Sequence, residues 1–370
     1  MDKPGLDTLA AAGLYDERAS NAADRLALLH FLVEQGCSVE EMQKAHAMGR
    51  LFALAGDRLI HPGFPAYTIE DAAPATGLSE DDTRELCRAL GLPQPPPHLP
   101  VLTEADIKAL SAFGELVELL GRDQTLGLAR VVGSAAARIA EAEFAALRSI
   151  DDLSLAHTGS EERTGRGYAK IAALVPGITQ VIDVVHRRHI EGVRRHVELL
   201  VDDAGGLSCG IGFCDLAGFT ALSRSVPLDK LAKLLSAFEA EATSVVHDQG
   251  GRVVKFIGDA VMFVTTTPES AAEIACLMVR HPRVAEHDLQ MRAAVSFGPV
   301  LMQDGDYFGT PVNLAARLLT IAAPGEVVAD PLLRATLNRG GWSTTLLPAQ
   351  PLRGFDGEVT PLRIDAVPAG

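Results

Sequence analysis

Two aspartates stand in matching sequence contexts and could act together. Asp215 lies in Phe-Cys-Asp-Leu-Ala-Gly-Phe-Thr (213–220), and Asp259 lies in Lys-Phe-Ile-Gly-Asp-Ala-Val-Met (255–262). Each follows a short run with strand character and precedes small or apolar residues suited to a tight turn. Either aspartate alone could simply cap its turn. Two carboxylates at strand ends can instead hold divalent cations, which prefer oxygen ligands and can activate an oxygen beside a phosphate chain.

Four more polar residues extend this pattern. Asn313 and Arg317 are four residues apart, so on a helix they share one face, where the arginine could bind phosphate oxygens. Lys255 offers a hydrogen-bond donor and Asp306 an acceptor, a combination suited to reading the edge of a base. Each of these residues alone has an ordinary explanation as a surface or turn residue. No ordinary explanation predicts all six together.

The six residues, in this order and in these local contexts, resemble the catalytic domain of class III nucleotidyl cyclases over roughly residues 205–366. The resemblance implies that Asp215 and Asp259 bind two divalent cations per site, Mg²⁺ or Mn²⁺. Leu216, which directly follows the first aspartate, is assigned to the same metal site.

The resemblance also assigns the substrate contacts. It implies that Lys255 and Asp306 recognise adenine, that Asn313 orients the ribose, and that Arg317 stabilises the transition state. A guanylyl cyclase would carry other residue types at positions 255 and 306.

Three further contacts to the substrate are predicted with less support. Phe219 and Thr220 belong to a turn whose backbone N–H groups could bind phosphates, as helix N-termini do. Arg353, in Leu-Arg-Gly-Phe, could contact the terminal phosphates, although an ordinary surface arginine explains it equally well.

The expected function is therefore that of an adenylyl cyclase, which converts ATP to 3′,5′-cyclic AMP and pyrophosphate. In this family each site takes its metal aspartates from one protomer and its other residues from the second. A chain with one such domain is thus expected to be an obligate homodimer with two equivalent sites. The alternative is a protein with the cyclase fold that holds a nucleotide as a sensor without turnover.

The catalytic half is predicted to be a ferredoxin-like β-α-β-β-α-β unit, so that the whole chain has an α+β fold. Apolar spacing and turn residues predict its elements. These are a strand at 207–215, a helix at 227–247, strands at 252–257 and 260–265, a helix at 271–279, and a strand region at 291–302 broken at Gly298-Pro299.

The first half reads as all-α and carries no catalytic constellation. We predict a helical regulatory domain at 1–180, containing a Pro95-Pro96-Pro97 linker, then a helical connection at 181–204 and the catalytic domain at 205–370. Ser38-Val-Glu-Glu41 is a capping box that begins one of its helices. This half resembles the regulatory domain of soluble actinobacterial cyclases.

Residues 67–93 could form two short helices joined at Thr-Gly-Leu-Ser, as in a helix-turn-helix. A DNA-binding version needs Lys or Arg around its second helix, whereas Glu80, Asp81 and Asp82 begin that helix here. We therefore favour a helical packing module.

The net charge of −15 argues against nucleic-acid and anionic-membrane partners. The five cysteines show no zinc spacing and are expected to be free, buried thiols in a reducing compartment. The first residues lack the features of a secretory signal, and we expect no run to reach the length of a membrane span. These observations predict a cytoplasmic protein.

Residues 181–201 are predicted to form one helix with an apolar stripe that includes His189 and His196. The two histidines could be ordinary, partly buried helix residues, or could respond to protons near neutral pH. The sequence does not specify the signal sensed by the first half. A proton or a small apolar molecule between its helices could act there, although the same apolar residues more often form a dry core.

Overall fold

The computed structural model describes residues 5–61, 65–92, 94, 96, 98–148, 159–201, 206–280 and 290–366. Its internal contacts divide the chain into Met1–Arg188 and His189–Gly370, a division that falls inside a single helix. The predicted domain boundary at 204/205, and Pro95 and Pro97 of the predicted proline linker, lie outside the described residues.

The first unit is built from helices, several of which begin at the caps expected from the sequence. Ser38 and Thr103 accept from the backbone N–H of the third residue of their helices, and that residue's carboxylate accepts from the cap's own N–H. The helices are α1 Leu6–Ala11, α2 Ala22–Glu34, α3 Val39–Ala47, α4 Leu54–Ile60, α5 Ile69–Thr76, α6 Glu80–Ala89, α7 Glu104–Leu120, α8 Arg122–Arg148, α9 Glu161–Ala172 and α10 Val175–Leu200.

Helices α5 and α6 are the pair that resembled a helix-turn-helix, and they pack with α7 and α8 around one apolar cluster. Ile69, Leu86 and Leu110 are buried in that cluster. At the acidic start of α6, Asp82 accepts from Arg122 of α8 at 2.8 Å. These contacts are those of a helical packing module.

The second unit has an eight-stranded mixed sheet and a two-stranded ribbon. Its strands are β1 Leu207–Ala217, β2 Arg252–Ile257, β3 Ala260–Thr265, β4 Gln290–Gln303, β5 Asp306–Phe308, β6 Val327–Ala329, β7 Ser343–Leu346, β8 Gln350–Pro351, β9 Glu358–Val359 and β10 Leu362–Ala366. The helices between them are α11 Phe219–Ser225, α12 Leu228–Asp248, α13 Pro268–Val279, α14 Thr310–Ile321 and α15 Arg334–Arg339.

The strand order β2-β3-β1-β4 and the antiparallel pairing of these four strands confirm the ferredoxin-like unit. Beyond it, β4 pairs with β6 in parallel, and β10 and β7 continue the sheet. Helices α12 and α13 cover one face of the sheet, where Phe238 and Ile274 join the core. On the other face Ile211, Phe213 and Met262 form a second cluster with α14 and β5.

The predicted break at Gly298-Pro299 is wrong, because β4 is continuous through both residues. Pro299 pairs with Ser208 of β1. On the other side of β4, β6 pairs only with Ala293–Val295 and β5 only with Leu301–Gln303. A proline lacks the N–H that a second partner would need, but neither of these strands reaches it.

The expectation that no segment has the length of a membrane span also needs correction. The helical stretch Glu161–Leu200 contains a window with a mean hydropathy of 1.4 and is long enough to cross a membrane, by length and composition only. One such helix is weak evidence for a membrane protein, because core helices of other proteins meet the same criterion.

All five cysteines are free and buried, as the sequence predicted.

Candidate active site

The two aspartates meet at one end of the sheet. Asp259 sits in the two-residue turn between β2 and β3, where Gly258 adopts the left-handed conformation that the turn requires (φ 63°). Asp215, near the end of β1, lies opposite Ala260, the residue after that turn. The Leu216 N–H also donates to the Asp259 carbonyl at 3.2 Å. The antiparallel register thus places both carboxylates side by side.

The charges at this end of the sheet are unbalanced. Burial raises the pKa of Asp259 to about 6, and its hydrogen bond with the Asp215 carboxyl raises it as well. Arg292 of β4 lies opposite Asp215 and donates to its Oδ2 from Nη2 at 2.7 Å and from Nε at 3.1 Å. One guanidinium faces two carboxylates, so further positive charge would be favourable here.

This donor set fits a divalent cation. Hard cations take carboxylate oxygens, and a bound cation would favour the ionised form of Asp259, which burial disfavours. Within the described ranges no group of three or more His, Cys, Asp or Glu residues could hold a metal. The two aspartates would therefore need backbone, water or substrate oxygens to complete the coordination. The Leu216 side chain is buried in the core, so only the backbone of this residue could contribute.

Lys255 of β2 and Asp306 of β5 form an ion pair, so the structure brings together the two residues that were assigned to the base. Both side chains remain about one third exposed (37% and 28%). Asp306 follows a tight Asp304-Gly305 turn with positive φ at both residues (51° and 78°), which is the twist that favours two-residue hairpins. The pair therefore sits on a hairpin with a defined geometry and is accessible to a ligand.

Asn313 and Arg317 lie on α14, and both are exposed. The rest of the helix fixes their direction, since Leu314, Ala315 and Leu318 are buried against the sheet. The two polar side chains share the outer face, as their spacing predicted, and are available to a ligand or to a second chain.

The three remaining predicted substrate contacts, Phe219, Thr220 and Arg353, lie in different environments. Phe219 is partly buried against the apolar cluster to which α12 and α13 contribute, whereas Thr220 is exposed in the first turn of α11. Gly218, in the left-handed conformation (φ 80°), is the N-cap of that helix. Arg353 is exposed beside the β8–β9 ribbon, and no described contact connects it to the other site residues. Its role as a phosphate contact stays a prediction.

Three residues of this region escaped the sequence analysis: Arg292, Arg252 and Tyr307. Arg252 of β2 donates to the Tyr307 hydroxyl at 2.7 Å, and its guanidinium lies 5.5 Å from the centre of that ring. The sequence indicated such residues only by a charged side chain inside an apolar strand, as in Met291-Arg292-Ala293. The partner of such a charge depends on strand register, which a single sequence does not specify.

The two histidines of the apolar stripe on α10 differ in exposure. His189 is exposed, whereas His196 is half-buried and its Nε2 has no hydrogen-bond partner among the described atoms. Burial lowers the pKa of His196, and the positive charge of Arg252 lowers it further.

Comparison with known proteins agrees with this architecture. The family model for the adenylate cyclase regulatory domain matches residues 7–190, and that for the adenylate and guanylate cyclase catalytic domain matches residues 206–361. An uncharacterized protein of Mycobacterium tuberculosis strain H37Rv is 44% identical over 97% of this chain and 93% of its own length.

Two relatives with assigned names are also similar to the chain. An adenylate cyclase of Streptomyces coelicolor is 34% identical over 71% of this chain and 70% of its own length. Among solved structures, the adenylyl cyclase CyaB from P. aeruginosa aligns with 43% of this chain and 94% of its own, at 22% identity and a TM-score of 0.40. The chain therefore belongs to the adenylate cyclase family, with a helical regulatory domain followed by a class III catalytic domain.

Proposed function

We propose that this enzyme converts ATP to 3′,5′-cyclic AMP and pyrophosphate at two equivalent sites of a homodimer. The observation that carries the proposal is the pair of converging carboxylates, Asp215 and Asp259, whose unbalanced charge fits cations rather than a structural ion pair. Two divalent cations, Mg²⁺ or Mn²⁺, would activate the 3′ hydroxyl and neutralise the triphosphate when bound.

The other residues then act on defined parts of the nucleotide. Lys255 donates to a ring nitrogen of adenine, and Asp306 accepts from its exocyclic amine. Asn313 orients the ribose, so that the 3′ hydroxyl faces the α-phosphorus. Arg317 stabilises the charge that grows on the phosphorus oxygens in the transition state, an interaction that typically contributes several kcal/mol.

The exposure of Asn313 and Arg317 supports a shared site. Both side chains lie on the outer face of α14 and are exposed in their own chain. In the proposed dimer, this face of one protomer meets the aspartate pair of the other. Each active site would then be complete only in the assembly.

The test of the proposal is turnover by the purified full-length chain. With Mn²⁺ or Mg²⁺ we expect cyclic AMP from ATP, and at least about 10-fold less product from GTP, because a site built to hydrogen-bond one base edge rejects the other. A charge-swapped variant, Lys255→Asp/Asp306→Lys, retains an ion pair but reverses the donor and acceptor. It should lower kcat/KM for ATP by about 100-fold while leaving the melting temperature close to that of the wild type.

The outcomes separate the candidate functions. A wild-type enzyme that prefers GTP contradicts the base assignment. Tight nucleotide binding without any cyclic product, with either metal, would favour the alternative of a non-catalytic nucleotide sensor.

We further propose that residues 1–180 regulate catalysis through α10. Its last residue, Leu200, packs with Cys209 and Ile211 of β1, the strand that carries Asp215. A shift of about 1 Å at a catalytic interface can cost on the order of 100-fold in rate. A displacement of α10 could therefore change activity without altering any catalytic residue.

Either predicted signal, a proton or a small apolar molecule, could act on this helix. Because the folded state lowers the pKa of His196, acidification should favour states in which this imidazole reaches water and can be protonated.

The regulatory role is tested by comparing the full-length chain with residues 204–370 across pH 5.5–8, a range around the usual histidine pKa of about 6.5. We expect the two proteins to differ in specific activity or in pH profile. Identical behaviour would remove the regulatory role. A difference that persists in the His189→Ala/His196→Ala variant would retain regulation and reject the histidines as its sensor.

A further inference from the structure

A half-buried arginine, Arg252, and a buried tyrosine, Tyr307, are connected by hydrogen bonds to the residues proposed to read the base. Arg252 Nη2 donates to the Tyr307 hydroxyl at 2.7 Å, and Tyr307 is only 2% exposed. The Tyr307 N–H in turn donates to Asp306 Oδ1 at 2.9 Å, while Asp306 Oδ2 accepts from Lys255. Four residues from β2 and β5 thus form one continuous set of hydrogen bonds.

A β-bulge explains how both cations of β2 reach β5. Arg252 lies opposite Val264 of β3, and Lys255 lies opposite Met262, with a register shift between Val253 and Lys255. In a regular strand, residues three apart point to opposite faces of the sheet. The extra residue of the bulge cancels that difference. Val264 and Met262 belong to the same buried cluster as Tyr307, which confirms that both cations face β5.

The partial burial of Arg252 has an energetic cost that an apolar side chain in the same place would not have. Its Nε is buried and has no hydrogen-bond partner among the described atoms. A buried polar atom without a partner is destabilising, and an apolar residue could fill the same space. The hydrogen bond to the hydroxyl and the contact with the face of the ring, both made by the Arg252 guanidinium, fix Tyr307.

We propose that Arg252 and Tyr307 are positioning residues for base selection, acting through Asp306 and the bulge at Val253–Lys255. This inference rests on the proposed function, in which Lys255 and Asp306 bind adenine. The Tyr307 N–H binds Asp306 Oδ1 and so orients the carboxylate, whose Oδ2 accepts from Lys255. By fixing Tyr307, Arg252 therefore determines the position of the Asp306 carboxylate, which is the acceptor, relative to the Lys255 ammonium, which is the donor.

The conservative variant Tyr307→Phe retains the buried ring and removes only the hydroxyl that Arg252 contacts. Arg252→Met removes the guanidinium and keeps an unbranched apolar side chain of similar length. The probes are ATP and GTP that carry a fluorescent label on the ribose, titrated against the full-length chain. Binding is measured in place of turnover, so the result does not depend on catalysis.

Each variant should bind labelled ATP about 5- to 20-fold more weakly, less than the full effect of losing one hydrogen bond to a charged group, because the lost contact acts on the base only through Asp306. Binding of labelled GTP should change by less than about 2-fold. The double variant should be no weaker than the more affected single variant, because both changes break the same connection. Arg363→Met is the matched control, since this half-buried arginine pairs with Asp365 on β10 and its replacement should change neither affinity.

The decisive comparison uses an Asp306→Ala background, which removes the carboxylate through which the two positioning residues are proposed to act. If Arg252 and Tyr307 act through Asp306, Tyr307→Phe should have no further effect on ATP affinity once that carboxylate is absent. An equal loss in both backgrounds would show a general structural role and overturn the inference.

The inference also fails if Tyr307→Phe retains wild-type affinity and discrimination. A wild-type chain that binds ATP no better than GTP would instead contradict the proposed base assignment, and this inference with it. If the wild-type chain prefers ATP and only the variants are unaffected, the proposed function stands and the positioning role alone is rejected.

Discussion

Asp215→Ala and Asp259→Ala variants are each expected to lose activity by on the order of 1,000-fold or more. Each change removes one of the two carboxylates proposed to hold the catalytic cations, and stabilisation of transition-state charge by a metal contributes several kcal/mol. Neither aspartate side chain belongs to an apolar core cluster, so the fold and the dimer should persist. The measurement is cyclic AMP formation at saturating Mn²⁺ and ATP, with the oligomeric state checked on the same samples. Substantial activity in either variant would reject the two-metal assignment.

Substitutions at the same two aspartates should also change the stability of the folded protein, and this effect can be measured without metal. The pKa of Asp259 is raised to about 6 in the folded protein, above its usual value of 3.8, so ionisation of this group disfavours the folded state. Its contribution to stability is present below about pH 4 and is lost as the pH rises through about 6. In the presence of a chelator, Asp259→Asn should therefore raise the melting temperature at pH 7.5, and the gain should disappear near pH 4.

Asp215→Asn provides the matched comparison for stability. Asp215 is paired with Arg292, so its loss leaves a partly buried guanidinium without this partner. We expect a lower melting temperature at neutral pH, opposite in sign to the effect of Asp259→Asn, although both variants lose activity. Equal stability changes in the two variants would contradict the charge distribution described for this site.

Mixing two inactive variants should restore activity if the site is shared between protomers. Asp215→Ala lacks a metal ligand, and Arg317→Ala lacks the cation that stabilises the transition state. A heterodimer of the two contains one site with both defects and one with neither. Random pairing of equal amounts makes half of the dimers mixed, so about a quarter of the native sites should be recovered.

Three controls accompany this experiment. Each variant is assayed alone at the same total concentration, and exchange of subunits is verified with differently tagged chains. A mixture of Asp215→Ala with Asp259→Ala should gain nothing, since both changes affect the same half of a site. Failure of the first mixture to recover activity, with exchange demonstrated, would indicate sites formed within one chain.

The sequence by itself determined the residue types for the chemistry and the local elements that carry them. Asp259 follows a glycine in a two-residue turn, and Asn313 and Arg317 are four apart on a helix. Such features depend on neighbours close in the chain, whose backbone preferences are local. The same locality explains why the capped helices of the first half and the β-α-β-β-α-β order were predicted correctly.

Only the tertiary structure decided which of these residues meet and what supports them. The pairing of β1 with β4 placed Arg292 opposite Asp215, and the bulge in β2 turned Arg252 and Lys255 to the same face. The tertiary structure also decided that β4 continues through Pro299, because neither β5 nor β6 pairs with this residue and needs an N–H from it. Register, bulges and strand neighbours are set by packing between segments distant in the chain, and a one-residue shift would exchange the two faces.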